Sequence, residues 1–191
     1  MDKSAALQAF EDRERSMITD HIRTYGVHLT YVSADGGCDC CRELGDAAPE
    51  PGGDTLADLL GGPEALPPRL DQPFCYSTGL YGVGHPELVV LGLPQDVSMA
   101  LLNAAAHQVT GHHQDLVPGQ LVPHLELKVL VEEMPNPGMV LFSANDYYRR
   151  PFFDSVPAYQ LTWADRLGRF PWDEGHDGGP WEQPRPGTYR A

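Results

Sequence analysis

Apolar residues at Leu7, Phe10, Met17, Ile18, Ile22 and Tyr25 recur at spacings of three, four and seven, with Glu11, Arg13 and Glu14 between them. That period predicts an amphipathic helix stopping at Gly26. From Val27 to Ser33 the period shortens to two among β-branched and aromatic residues, which predicts a strand. The pattern then collapses from Gly36 to Gln72, where 7 Gly and 5 Pro interrupt the chain. This stretch reads as a long irregular insertion, with Thr55 to Leu60 as a short helix inside it. Regularity returns at Pro73. Phe74 to Leu80 and Leu88 to Leu93 predict strands, the second so continuously apolar that both its faces must be buried. Between them Tyr81-Gly82-Val83-Gly84-His85-Pro86 predicts a hairpin turn or a wide loop. A helix opens at Gln95 or Asp96, runs through Val97, Leu101, Ala105 and Gln108, and stops at Gly111. Leu116 to Pro123, Leu125 to Met134, Met139 to Phe142 and Ala158 to Ala164 predict further strands, and Asn145 to Phe153 a short helix.

Strands that follow one another with few crossover helices predict an α+β fold: a mostly antiparallel sheet with helices packed on one face, in a single domain. Its parts are an N-terminal helix and first strand (1–35), the insertion (36–72), the motif-bearing core (73–173) and a flexible Gly/Pro-rich tail (174–191).

Charge narrows the partners. With 27 acidic against 13 basic side chains, the net charge is −14, so neither nucleic acid nor an anionic membrane surface is an expected partner. The insertion holds 8 acidic residues against 2 arginines, so the core is only mildly acidic. No run is long and apolar enough to span a bilayer, and Met1 to Ile18 lacks a signal-peptide core, which predicts a cytoplasmic protein.

The candidate chemistry is sparse. Cys38, Cys40 and Cys41 place three thiols within four residues, which could hold zinc or another transition metal with a fourth ligand such as Cys75 or a histidine; otherwise they are reduced thiols in an acidic loop, and no cofactor is expected. Four of the eight histidines fall between His107 and His124, but His107 and His112 are five apart with Gly111 between them, so one helical face cannot present both. The glycines around Tyr76-Ser77-Thr78-Gly79 form neither a phosphate loop nor a dinucleotide fingerprint, and Ser77 is not in a nucleophile elbow. His85 and Glu87 flank Pro86, where they either form an acid/base pair, with Tyr76 and Asp165 as further catalytic candidates, or hydrogen-bond the loop backbone. The run Tyr159 to Asp173 (YQLTWADRLGRFPWD) is dense in Trp, Arg and Asp. Trp163, Arg166 and Arg169 could bind an anion by stacking and bidentate hydrogen bonds; alternatively the tryptophans pack across a turn and Arg169 pairs with an aspartate.

FCYSTGLYGVGHPELVVLGLP (74–94), the following helix with Leu102-Asn103, Pro118-Gly119, and YQLTWADRLGRFPWD, continuing to Gln183-Pro184, together resemble the DUF4262 family, which is common in actinobacteria. The resemblance spans Tyr25 to Pro184 apart from the insertion. It departs from many members in its cysteines, which follow the first strand instead of forming a short N-terminal signature. The family's function is unknown, so the resemblance implies no catalytic residue and no substrate. A looser similarity to Suppressor-of-fused-like domains, through the GL and PEL strand pair, implies protein binding. Two readings follow. One is a non-enzymatic binding or protein-interaction module. The other is a small enzyme or small-anion-binding protein, with a pocket where the GLYGVGHPEL and WADRLGRFPWD turns meet.

Overall fold

The computed structural model describes residues 5–33 and 67–191. Helix α1 (Ala5–Tyr25) leads into strand β1 (His28–Val32), followed by β2 (Phe74–Thr78), β3 (Glu87–Leu91), helix α2 (Gln95–Thr110), β4 (Val129–Glu133), helix α3 (Phe142–Tyr148) and β5 (Ala158–Trp163). Single 3-10 turns occupy 81–83, 137–139 and 152–154. The strands form one sheet in the order β1-β2-β3-β5-β4. Three pairings are antiparallel and one, β3 with β5, is parallel. The α+β class and the largely antiparallel sheet are those expected.

The helices do not share one face. On β2 and β3, Cys75, Leu88 and Val90 point to one side and pack with Leu101, Leu102, Ala105 and Val109 of α2. Phe74, Tyr76, Val89 and Leu91 point to the other and pack with Val140, Leu141 and Ala144 at the start of α3. Successive strand side chains alternate sides, so two central strands with no polar face require cover on both. The sheet therefore has a core on each side.

Three local predictions are corrected. Residues 116–123 form no regular strand among the described residues; they run beside β4 around one isolated bridge, Leu121 to Leu130, with the Gly119 and Val122 amides donating to Val131 and Val129 and the Gln120 carbonyl accepting the Val131 amide. Met139 to Phe142 is not a strand but the end of a 3-10 turn and the start of α3, since Pro137 presets a helical φ and Val140 and Leu141 turn into the core. The segment beyond residue 174 is not a loose tail. Tyr189 is 2% exposed and donates to Gln160 Oε1 at 2.8 Å, and Gln183 clamps the backbone of Trp163 through both its oxygen and its nitrogen.

Helix α1 is held at its middle and its end. Arg15 donates to the carbonyl oxygens of Tyr147 and, at 2.8 Å, of Asp146, in the last turn of α3. Near Gly26 the chain passes so close to Gly79 that a Cβ there would lie 3.1 Å from Ile22 Cγ1 and from the Gly26 carbonyl oxygen; Gly79 also has φ +140°. No described helix is long and apolar enough to cross a membrane. Cys38, Cys40, Cys41 and the short helix expected at 55–60 lie outside the described residues.

Candidate functional site

The first motif folds into a closed turn. After β2 the chain enters the 3-10 turn 81–83 and leaves it through Gly84 at φ +89°, a left-handed conformation that glycine adopts without penalty. Glu87 opens β3 immediately afterwards and is fully buried, at 0% exposure. Its Oε1 accepts the amides of Gly79 (2.8 Å) and Tyr81 (3.0 Å). Its Oε2 accepts the Ser77 hydroxyl (2.6 Å) and the Leu80 amide (3.3 Å). Ser77 Oγ in turn accepts the Leu88 amide at 2.9 Å. Burial pushes the Glu87 carboxyl above its ordinary range, against the pull of the Ser77 hydroxyl and the three amides.

His85 is equally committed. The Leu116 amide donates to its Nε2 at 3.1 Å, which fixes the proton on Nδ1, and that N–H donates to the Pro86 carbonyl at 2.6 Å. With both ring nitrogens engaged by backbone, no lone pair is left for a substrate. Tyr76, opposite Val89 in the sheet, donates to Ser143 Oγ at 2.9 Å and accepts the Ser143 amide at 3.2 Å; burial raises its phenol. Tyr148, whose hydroxyl accepts the Gly82 amide, covers the turn from α3, and its phenol is raised by burial and by the charge of Glu87. Of the two readings for His85 and Glu87, these bonds match the one in which both hold the loop.

The second motif lies at the other end of the same two strands. Glu87 pairs with Ala158 at the start of parallel β3 and β5, whereas Asp165 lies beyond their far end. At about 3.3 Å per residue the two turns are on the order of 20 Å apart. Tyr76, His85 and Glu87 are therefore not brought together with Trp163, Asp165, Arg166 and Arg169, and the pocket expected between the two turns is not formed.

Asp165 organises its own turn. Its Oδ1 accepts the amides of Leu167 (2.8 Å) and Arg169 (2.9 Å), and its Oδ2 accepts Arg169 Nε and Nη2, both at 2.7 Å, and the Asp177 amide (3.2 Å). Burial alone would raise this carboxyl, but the amides of Arg169, Asp177 and Leu167 and the Arg169 guanidinium outweigh it and hold it well below the usual carboxylate range. Arg169 is thus neutralised within the turn. Trp163 is 7% exposed and donates its indole N–H to the Leu91 carbonyl at 2.9 Å, stitching the ends of β3 and β5 together. Trp172 does not pack on Trp163 but stacks on Phe170, with the Arg185 guanidinium 4.4 Å from its ring centre.

Beside this turn a cleft of about 520 Å³ opens outside the carboxyl ends of β3 and β5. Leu93, Leu127, Trp163 and Trp181 form apolar walls, and Val97 in the first turn of α2 stands at the lip. Arg166 also lines it, is exposed, and makes no hydrogen bond or ion pair among the described residues. Crevices outside the carboxyl ends of parallel strands are where open sheets with such strands bind ligands.

The model of a domain of unknown function, DUF4262, matches residues 64–177, more than half of the chain. The chain belongs to the DUF4262 family. Comparison with curated proteins and with solved structures gives no match. Both turns fall within the DUF4262 region, whereas α1, β1 and the wall contributed by Trp181 lie outside it. Trp181 is the cleft residue that sequence reasoning missed, since it stands in a Gly/Pro-rich stretch with no periodicity to mark it.

Among the described residues no group of three His, Cys, Asp or Glu side chains could hold a metal ion. Burial pushes the Cys75 thiol up to about 12, so it is neither a ready ligand nor a ready nucleophile. His21 and His28 face one another with Nδ1 atoms 2.8 Å apart, an arrangement with no sequence signal because the two sit on different elements.

Proposed function

We propose that this DUF4262 protein is a non-enzymatic binding domain whose ligand enters the cleft beside Trp163. The observation that carries the reading is the contrast in side-chain commitment. Around Glu87 and His85 every candidate catalytic group is bonded to backbone and withdrawn from solvent. Around Trp163 apolar walls stay open, with Val97 41% and Leu167 76% exposed beside them. A volume of about 520 Å³ falls in the range of sites for small organic ligands. The apolar lining supplies affinity through burial, at roughly 25 cal/mol per Å².

Saturation-transfer NMR with 2-naphthalenemethanol, a neutral bicyclic probe, tests this reading. Transfer from the protein to the probe is expected, and Val97→Trp, which fills the mouth of the cleft from an exposed position, is expected to abolish it. No transfer, or transfer that Val97→Trp leaves unchanged, would remove the cleft as the binding site.

A further inference from the structure

The charged groups of the cleft are unequally occupied. Asp165 and Arg169 neutralise each other through two contacts of 2.7 Å, so neither offers net charge to a ligand. Asp177 also lines the cleft, beside the same turn: its Oδ1 accepts the Gly179 amide at 3.1 Å, and its own amide is bonded to Asp165. Its carboxylate is anchored by that amide and keeps its charge, so it adds no site for an anion. Arg166 remains: a guanidinium at the rim of an apolar cleft, without a partner among the described residues, on a turn whose backbone is pinned on both sides by Asp165. A planar fork of this kind matches a carboxylate with two parallel hydrogen bonds.

We infer that the ligand is an organic monocarboxylate, with an aromatic or branched aliphatic body against Trp163 and Trp181 and its carboxylate on Arg166. The inference rests on the cleft being the binding site and adds the class of ligand. One charge is favoured over several. The whole chain carries −14, and that field opposes multiply charged anions such as phosphate esters. The apolar walls favour a ligand that gains chiefly from burial and spends one charge on orientation. Arg166 is then a specificity residue, supplying direction and selectivity in an open, solvated site.

Isothermal titration with three probes sharing one ring system tests this: 2-naphthoate, 2-naphthalenemethanol and 2-naphthylmethylamine. Naphthoate is expected to bind about fivefold tighter than the neutral alcohol, the upper range for an exposed ion pair, and the amine more weakly than either. Arg166→Gln should erase the preference for naphthoate over the alcohol, and Arg166→Lys should restore part of it. Equal binding of all three, or tightest binding of the amine, would overturn the carboxylate assignment while leaving the cleft in place. Failure of all three to bind would overturn the cleft as well.

Discussion

Two turns, both rich in glycine and polar residues, cap opposite ends of the same parallel strand pair, and they use a buried carboxylate in opposite ways. Glu87 draws its donors inward, closing a loop in which Ser77, Gly79, Leu80 and Tyr81 have no function left to offer. Asp165 draws an arginine and three amides to itself, and in doing so holds the next residue, Arg166, outward at the mouth of a cleft. The difference teaches that a dense motif is a functional candidate only when its satisfied bonds leave a group uncommitted. Because a buried donor or acceptor must be paired, the motif's own hydrogen-bond demand is met first.

The largest expected effect comes from opening the closed turn. Glu87→Ala strands three backbone amides and the Ser77 hydroxyl, a loss of about 3–5 kcal/mol expected from leaving four buried donors unpaired, measured by urea denaturation. If the loss is less than about 1 kcal/mol, Glu87 is not what holds the turn.

The two carboxylates should next be separable by pH. Glu87 holds its proton above the ordinary value of 4.5, so its contribution is complete below that pH and declines as pH rises through its folded value. Asp165 is held below its ordinary 3.8, so its contribution is complete above that pH and is lost as pH falls. The penalty of Glu87→Gln should therefore shrink with rising pH, and that of Asp165→Asn should shrink with falling pH. Denaturant titrations from pH 2 to 8 check this, and slopes of the same sign would mean that the turns are not the opposites described.

The segment after the cleft gives a smaller effect. Tyr189→Phe removes the donor to Gln160 Oε1 inside the second core and should cost about 1–2 kcal/mol in the same assay. At the bottom of the scale, Arg166→Gln should leave stability within about 0.5 kcal/mol, as expected of an exposed residue without partners. A large loss there would show that Arg166 is a structural residue and not a poised one.

Much of this fold was legible in the sequence. α1, α2 and all five strands announce themselves by period or by an apolar run, β4 within the longer stretch 125–134, and Gly26 and Gly111 mark where the helices stop. The stretch 116–123 misleads because buried Leu116 and Val122 imitate a strand while the backbone meets β4 only around Leu121, in too short a ladder to make a regular strand. Met139 to Phe142 misleads because four apolar residues in a row are compatible with a helix start as well as a strand. The packed C-terminal segment was invisible: Gln183 and Tyr189 are isolated anchors whose partners, Trp163 and Gln160, lie 20 and 29 residues away. For the site, Trp163, Arg166 and Arg169 were readable as a group because one turn holds them. The separation of that turn from Glu87 was not, because it depends on β3 and β5 running parallel across two intervening helices and a strand.

On the proposed reading, the end of β3 and β5 near Trp163 receives ligand and the end near Glu87 does not. A ¹H–¹⁵N correlation spectrum recorded during titration with 2-naphthoate tests it most directly. Shifts are expected to be confined to the amides of 92–97, 164–169 and 177–181, with those of 79–87 unmoved. Shifts centred on the Glu87 turn, with the Trp163 turn silent, would contradict it.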